Sequence, residues 1–313
     1  MVEAHPAGVF PRSENLVTAT RATVRGALPQ SDVDKTLQED VKSLITLQGQ
    51  AGLDSLVDGQ LNWQDLFRPF TQLLSGIEVG GLSRWFDNNT FYRKPTISGK
   101  VEFKGGDVKR YFRADLLPKD GHKKAILPGP FTFASMSDNR AYTSLSDLVD
   151  DLAHSLKAVT RELQGLGYDY FQYDEPYVCA ANLSLSDLQL AKRGLETCAV
   201  GKSLVQTYFG DVGPAIDILL DCPVDAIGVD FYSTPLDSLK GHGFDKVLAC
   251  GCIDGRNSLL ESPAQLRDII QKVREEVEPP NIYLMPNGAL EFLPLSVAER
   301  KVGVLGATRR VLS

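Results

Sequence analysis

The sequence predicts an α/β protein, a single (β/α)8 TIM barrel over residues 1–313, with a basic hairpin inserted after the second β/α unit. Three observations lead there. Apolar strand-like runs alternate with helical patterns along the chain, which implies parallel strands joined by right-handed crossovers. Eight such units can be counted, and eight close a barrel. Finally, the aromatic run from Tyr168 to Tyr177 ends in adjacent carboxylates, Asp174 and Glu175, stopped by Pro176. Proline removes a ladder donor and restricts the residue before it, so the strand ends there. Adjacent strand residues point to opposite faces, so the two carboxylates cannot share one role.

Ala7–Phe10 reads as the first strand. A helix follows over about 31–52, capped by Ser31, with Val33, Leu37, Val41, Leu44 and Ile45 along one stripe. Leu53–Val57 is the second strand, and a helix is expected around 61–74. Residues from about 83 to 124 are polar, with Gly and Pro punctuation, and read as an inserted hairpin with strands at 97–103 and 108–112. From Arg84 to Lys124 there are eleven Lys and Arg against five Asp and Glu, in a chain of net charge −7. Such a flap either steers an anionic ligand or is a solvated hairpin.

Ala125–Leu127 is the third strand. The next helix has the clearest period: Leu145, Leu148, Val149, Leu152, Leu156, Val159 and Leu163 share one face behind the cap Ser144. The fourth strand is the Tyr168 run, and a helix starts near Ser184. Strands at 203–208, 226–230, 246–252 and 281–284 complete the eight, with helices over 215–220, 263–277 and 297–311.

Hydrophobic residues make up 43% and charged residues 23%, the balance of a soluble globular protein. The acidic net charge gives no reason to expect nucleic acid or an anionic membrane as partner. No apolar run approaches the ~18–20 residues of a membrane span. Met1–Pro6 lacks a basic region and an apolar core, so no signal peptide and a cytoplasmic location are expected. Five scattered cysteines are no disulfide framework. Cys250 and Cys252 stand one residue apart, where paired zinc ligands are usually separated by two or more, and they read as buried small residues.

A barrel's active face is built from strand C-terminal ends. Those ends offer Arg12, Asp58 with Gln60, Thr132, Asp174 with Glu175, Tyr208, Asp230 with Tyr232, Asp254 with Arg256 and Asn257, and Asn287. The set is rich in carboxylates and lacks histidine. His5, His122, His154 and His242 read as surface residues, so Ser-His-Asp or Cys-His catalysis has little support. Asp254 and Arg256 either bind a ligand or close the barrel mouth by pairing with each other.

Six stretches, in order, resemble the cobalamin-independent methionine synthase family. They are Ala51-Gly-Leu-Asp with Gly59 and Trp63-Gln-Asp65, Arg84-Trp-Phe-Asp-Asn-Asn-Thr-Phe-Tyr92, Pro128-Gly-Pro-Phe-Thr132, Gln172-Tyr-Asp-Glu-Pro176, Thr207-Tyr-Phe-Gly-Asp211 and Asp254-Gly-Arg-Asn257. The family enzyme has two barrels, of which the C-terminal one holds a catalytic zinc and the N-terminal one helps to bind a polyglutamylated folate. The segments here look like the N-terminal, zinc-less barrel.

The resemblance implies no metal in this chain: Val205-Gln-Thr207 replaces the His-x-Cys pair, Asp230 stands at the Glu ligand, and Gly288 lies near the last Cys. It implies that Asp174 accepts an amino group of substrate or pterin, with Glu175 turned toward the barrel wall. Tyr208, Asp230 and Asn287 would line the floor, Arg256 and Arg84 would face anions, and Asn257 and Arg12 are counted with the substrate-binding residues. Gln60 stands where the family has a Glu, and Arg84 matches a folate-binding Lys. The implied function is a methyltransferase component of methionine biosynthesis. It would bind a donor such as polyglutamylated 5-methyltetrahydrofolate for transfer to homocysteine, with zinc supplied by a separate catalytic barrel as partner. The alternatives are a non-catalytic binding or accessory barrel, or a relative of corrinoid-dependent methyltransferases.

Overall fold

The structure, a computed structural model, describes residues 1–86 and 90–312. It begins with β1 (Val2–Ala4), α1 (Glu14–Val24), α2 (Gln30–Ala51) and the single turn α3 (Phe70–Leu73). An antiparallel ribbon follows, β2 (Leu74–Arg84) and β3 (Phe91–Phe103), then the short α4 (Val108–Tyr111). Next come β4 (Lys124–Pro128), α5 (Pro130–Ser135), β5 (Asp138–Asn139) and α6 (Leu145–Gly165). The regular remainder is β6 (Tyr170–Asp174), α7 (Leu185–Cys198), β7 (Lys202–Gln206), α8 (Ile216–Leu220) and β8 (Ala226–Asp230). It ends with β9 (Val247–Ile253), α9 (Pro263–Glu276), β10 (Ile282–Pro286) and α10 (Leu295–Leu312).

Seven strands form one parallel sheet in the order β1-β10-β9-β8-β7-β6-β4. The sheet curls until both edges meet one short segment. Asp54 N–H donates to Ala4 O at 2.8 Å on the β1 side, and Lys124 N–H donates to Leu56 O at 2.9 Å on the β4 side. Side chains alternate across each strand. Phe171, Tyr173, Val205, Ile227, Leu248, Cys250 and Cys252 join the outer core under the helices. Tyr170, Leu204, Ala226, Ala249, Tyr283 and Met285 form a smaller inner cluster. The outer core is carried chiefly by α6, whose Leu148, Leu152, Leu156, Val159 and Leu163 are all fully buried. Ser144 caps that helix by accepting from Asp147 N–H.

Several expectations are corrected. The first strand lies at Val2–Ala4, upstream of the expected 7–10, because Pro6, Pro11 and Gly8 at φ +67° cannot continue a ladder. Leu53–Val57 is no regular strand but makes one isolated bridge, Leu56 to Lys123. The Gln48 side chain instead takes both polar groups of Val57, accepting its N–H at 3.0 Å and donating to its C=O at 2.9 Å. The helix expected over 61–74 shrinks to α3, since Asp65 turns the chain by accepting from Phe67 and Arg68 N–H. The ribbon uses Leu74–Arg84 as partner for Phe91–Phe103, whereas Val108–Tyr111, expected as a strand, is a helical turn.

Two titratable residues are also buried against expectation. His5 sits inside the sheet, Nδ1 at 2.8 Å from Ser55 Oγ and Nε2 at 3.0 Å from Glu3. Burial pushes its pKa down to about 4. Lys124, counted with the basic flap, points into the sheet interior and donates to Pro6 O at 2.9 Å. Burial lowers its pKa to about 7, with the nearby Asp174 carboxylate opposing the fall.

Candidate functional site

β6 delivers its two terminal carboxylates to opposite sides. Glu175 points away from the sheet interior into the start of α5, where its carboxylate accepts from Phe131 N–H at 2.9 Å and Thr132 N–H at 2.7 Å. It is fully buried, which raises its pKa to about 7 against the lowering effect of those bonds. Gly129 is required beside it, because any Cβ there would overlap the Glu175 side chain. Glu175 therefore ties β6 to α5.

Asp174 points inward. One oxygen accepts from Gln172 Nε2 at 2.7 Å and the other from the Tyr208 hydroxyl at 3.2 Å. Burial raises its pKa to about 6, opposed by these two bonds and by Lys124. Asp174, Tyr208 and Gln60 line a cavity of about 50 Å³ together with Asp65, Trp85 and Glu291. The Gln60 amide donates weakly to Ile126 O at 3.4 Å, while its buried Oε1 has no partner. Glu291 borders the cavity from the β10–α10 loop, and burial raises it to about 7, opposed by the charge of Arg12. Around this cavity three non-glycine residues adopt left-handed backbone, Gln60 at φ 52°, Phe86 at φ 49° and Phe209 at φ 69°. Such strain persists only where surrounding structure enforces it, and it clusters at ligand sites. Phe86 and Phe209 meet at 5.3 Å between ring centroids.

A second group lies at the ends of β8, β9 and β10. Asp230 accepts from Arg256 Nη2 at 3.0 Å, Ser233 Oγ at 2.9 Å, Asn287 Nδ2 at 3.0 Å and Tyr232 N–H at 3.0 Å. Arg256 also reaches Asp254 at 3.4 Å and lies over the Phe209 ring at 5.4 Å. Asn287 Oδ1 accepts from Gly255 N–H at 2.8 Å. The pairing of Arg256 with two carboxylates closes this end of the sheet.

The expected residues thus fall into separate places. Asp174, Tyr208 and Gln60 come together, while Asp230, Asn287 and Arg256 form the network beside them. Asn257 is exposed, and its Oδ1 accepts from Leu259 N–H in its own turn. Arg84 is exposed at the end of β2, paired across the ribbon with Phe91. Of the Arg84–Tyr92 motif, Asp87, Asn88 and Asn89 lie outside the described residues, whereas Trp85, Thr90, Phe91 and Tyr92 border the Asp174 cavity. Arg12 lines a different cleft, of about 1090 Å³, between α1, α2 and residues 107–115, together with Arg68, Lys109, Arg110 and Arg113. Glu291 was not singled out from sequence, and Asp65 only as part of the Trp63-Gln-Asp65 stretch, not as a site residue. Glu291 stands only four residues beyond Asn287, on the same strand-end loop, and that position was the available signal.

The residues at the family's metal positions do not suit a zinc ion. Val205 packs in the outer core, and Thr207 Oγ1 donates to Gly228 O at 2.7 Å. The Asp230 oxygens are occupied by five donors, the four above and the Phe209 N–H at 3.4 Å, one of them a guanidinium already supplying the compensating charge. Among the described residues, no three His, Cys, Asp or Glu side chains are placed to share a metal. Burial pushes the Cys252 thiol up to about 12, far from a ready thiolate.

A curled parallel sheet with its polar side chains gathered at strand C-terminal ends has the layout of a barrel-type ligand-binding protein or enzyme. Residues 77–278 match the family described as "Cobalamin-independent synthase, N-terminal domain", and the chain belongs to that family. The methionine synthase of Saccharolobus solfataricus is 26% identical over 302 residues, covering 94% of this chain and 90% of the relative. That of Sulfolobus acidocaldarius is 24% identical over 303 residues, covering 94% and 87%. Among solved structures, a B12-independent methionine synthase from Shewanella sp. W3-18-1 in complex with selenomethionine superposes with a TM-score of 0.82 at 20% identity, covering 99% of this chain and 97% of that one. A methyltransferase from Methanosarcina mazei superposes at 0.59 with 13% identity, covering 98% and 94%. These structural likenesses bear on the fold. Among the described residues no helix is long and apolar enough to cross a membrane.

Proposed function

We propose that this chain is a methionine synthase-related methyltransferase component. It binds a methyl donor such as a polyglutamylated 5-methyltetrahydrofolate and works with a separate zinc-bearing barrel that activates homocysteine. The observation that carries the reading is Asp174: a buried carboxylate held by Gln172 and Tyr208 at the edge of a cavity, beside a partnerless Gln60 oxygen. Such a group is an acceptor for an amine of the ligand, whether a substrate ammonium or a pterin amino group. The basic cleft lined by Arg12, Arg68, Lys109 and Arg110 supports a polyanionic tail, although Asp34, Asp107 and Asp115 dilute its charge. The same reading takes the sheet as a (β/α)8 barrel forming one domain, with Leu56 in the eighth strand position and the β2–β3 ribbon as an insertion. The contacts of residues 54–56 with both sheet edges support it.

A second reading, a barrel that binds ligand without catalysis, is favoured by the fully occupied Asp230. The two are separated by mixing the chain with a zinc-bearing methionine synthase barrel, homocysteine and triglutamylated 5-methyltetrahydrofolate. Methionine formation that depends on both proteins supports the component. Tight folate binding with no methionine leaves the binding barrel. Absence of both sinks the proposal.

A further inference from the structure

Among the described residues two lysines are buried, and they are held differently. Lys301 is paired with the Glu261 carboxylate at 2.7 Å and 3.0 Å and donates to Leu259 O at 2.8 Å. Lys124 has no described carboxylate within ion-pair distance. Its Nζ donates to Pro6 O at 2.9 Å, approaches Met285 Sδ at 3.9 Å and lies 5.1 Å from the centre of the Tyr170 ring. A buried ammonium without a paired anion is costly, and an apolar side chain of that length would avoid the cost. Its place in the sheet supplies a reason. Phe171 and Tyr173 face the outer core, so Tyr170, Gln172 and Asp174 point inward along β6. Lys124 is paired with Tyr170 in the β4–β6 register, two inward positions below Asp174. Its acceptor, Pro6 O, comes two residues before Gly8, which lines the Asp174 cavity, so the ammonium ends beneath the cavity floor. The charges of Lys124 and Asp174 act on each other through this interior.

The other groups around the pair do not balance Asp174. Its direct partners, the Gln172 amide and the Tyr208 hydroxyl, are neutral donors. Glu175 lies behind it, and Asp65 and Glu291 border the same cavity, all of them carboxyls. Around Lys124, the Lys202 ammonium repels it from β7, and His5 on the β1 side is neutral because burial pushes its pKa down to about 4. We propose that Lys124 is a positioning residue: its ammonium, lodged under the cavity, holds Asp174 as a carboxylate at neutral pH, the form in which it accepts from a ligand. Without that charge, a carboxyl buried among neutral donors and other carboxyls takes up a proton and becomes a donor itself. A cation inside the cavity would occupy the acceptor, whereas one beneath it supplies charge and leaves the acceptor free. The role rests on the reading of Asp174 as the ligand's acceptor, and the two are tested by separate measurements.

Asp174 would be titrated by carboxyl-carbon NMR in the full chain labelled at aspartate, its signal assigned by its loss in Asp174→Asn. In the wild type the midpoint should lie at about 6. Lys124→Met and Lys124→Gln, which remove the charge with different polarity, should both raise it by about one pH unit, as expected for losing a unit charge that acts through a protein interior. Linkage makes the coupling reciprocal. Asp174→Asn should therefore lower the Lys124 midpoint, about 7 in the wild type, by a similar amount, read from lysine labelled at Cε. A purely structural lysine would change the unfolding curve and leave both midpoints in place. An Asp174 midpoint unmoved or lowered in both neutral variants overturns the proposal, as does a Lys124 midpoint indifferent to Asp174→Asn. The acceptor reading is tested by adding saturating L-methionine or triglutamylated 5-methyltetrahydrofolate to the wild type, where a bound donor should lower the Asp174 midpoint. If neither ligand moves that midpoint while Lys124 still does, Asp174 leaves the ligand site, and the functional role of Lys124 falls with it while the electrostatic pair stands.

Discussion

Replacing Asp174 with Asn should separate binding from stability. The carboxylate is buried, and its pKa stands at about 6 against an ordinary 3.8. That difference amounts to about 3 kcal/mol held against the fold once the group is ionised. Asparagine keeps the geometry: its oxygen can accept from Gln172 Nε2, and its amide can donate to the Tyr208 oxygen, whose hydroxyl turns to suit. The sign follows from the raised pKa. The wild-type contribution is complete below pH 3.8 and is lost as pH rises through about 6. Asp174→Asn should therefore gain about 1–3 kcal/mol at pH 7.5, several degrees in Tm, and nothing at pH 4. The same variant should lose affinity for L-methionine by at least about tenfold, since a neutral amide cannot balance an ammonium. Urea unfolding at the two pH values and calorimetric titration decide it. A variant less stable at both pH values, or one that keeps wild-type affinity, would refute the reasoning.

Three further substitutions test how the site is held. Gly129→Ala should cost about 1–3 kcal/mol by overlapping Glu175, and the cost should shrink in a Glu175→Ala background, a coupling readable in a double-mutant cycle. Lys124→Met should stabilise the protein by about 2–4 kcal/mol at pH 6, where the folded chain must otherwise carry the buried ammonium. Because the folded pKa of about 7 lies below the ordinary 10.5, that gain should fade as pH rises toward 10, and a pH-independent gain would contradict it. Gln48→Ala should cost about 2–4 kcal/mol in urea unfolding, since it strands both polar groups of Val57 in a buried position.

The later half of the fold was legible in the sequence because there local pattern and global demand coincide. The stripe on α6, the apolar runs of β6 to β10 and the Pro176 stop each require only nearest-neighbour reasoning. The first third was misread where side chains satisfy the backbone. Gln48 replaces a strand partner for Val57, and Asp65 ends a would-be helix, and no apolar period announces either bond. His5 and Lys124 were taken for surface residues because burial of a charge depends on long-range partners, Glu3 with Ser55 for the one and Pro6 O for the other. At the site, alternation alone separates Asp174 from Glu175. Glu291 reaches the cavity only because β10 lies beside β1 in the curled sheet, a juxtaposition across nearly the whole chain.

The strand ends divide into two halves with different tasks. At β8 to β10 the acidic positions are saturated: Asp230 is met by Arg256, Asn287, Ser233 and Tyr232, and Gly251 packs so tightly that an added Cβ would lie 2.7 Å from Asn287 Cα. At β6 and β7 acceptors are left over. A network whose donors and acceptors are already matched has little to offer a ligand, whereas unmatched acceptors do. Arg256→Met should accordingly leave a buried Asp230 without its counter-charge and cost about 2–4 kcal/mol of stability, tempered by the four bonds that remain. Affinity for an amine at Asp174 should stay within about twofold of wild type, since Arg256 touches none of the residues that line that cavity, only Phe209 next to Tyr208. The reverse result, lost affinity with stability intact, would mean that the guanidinium belongs to the ligand site and that Asp230 and Asp174 act as one.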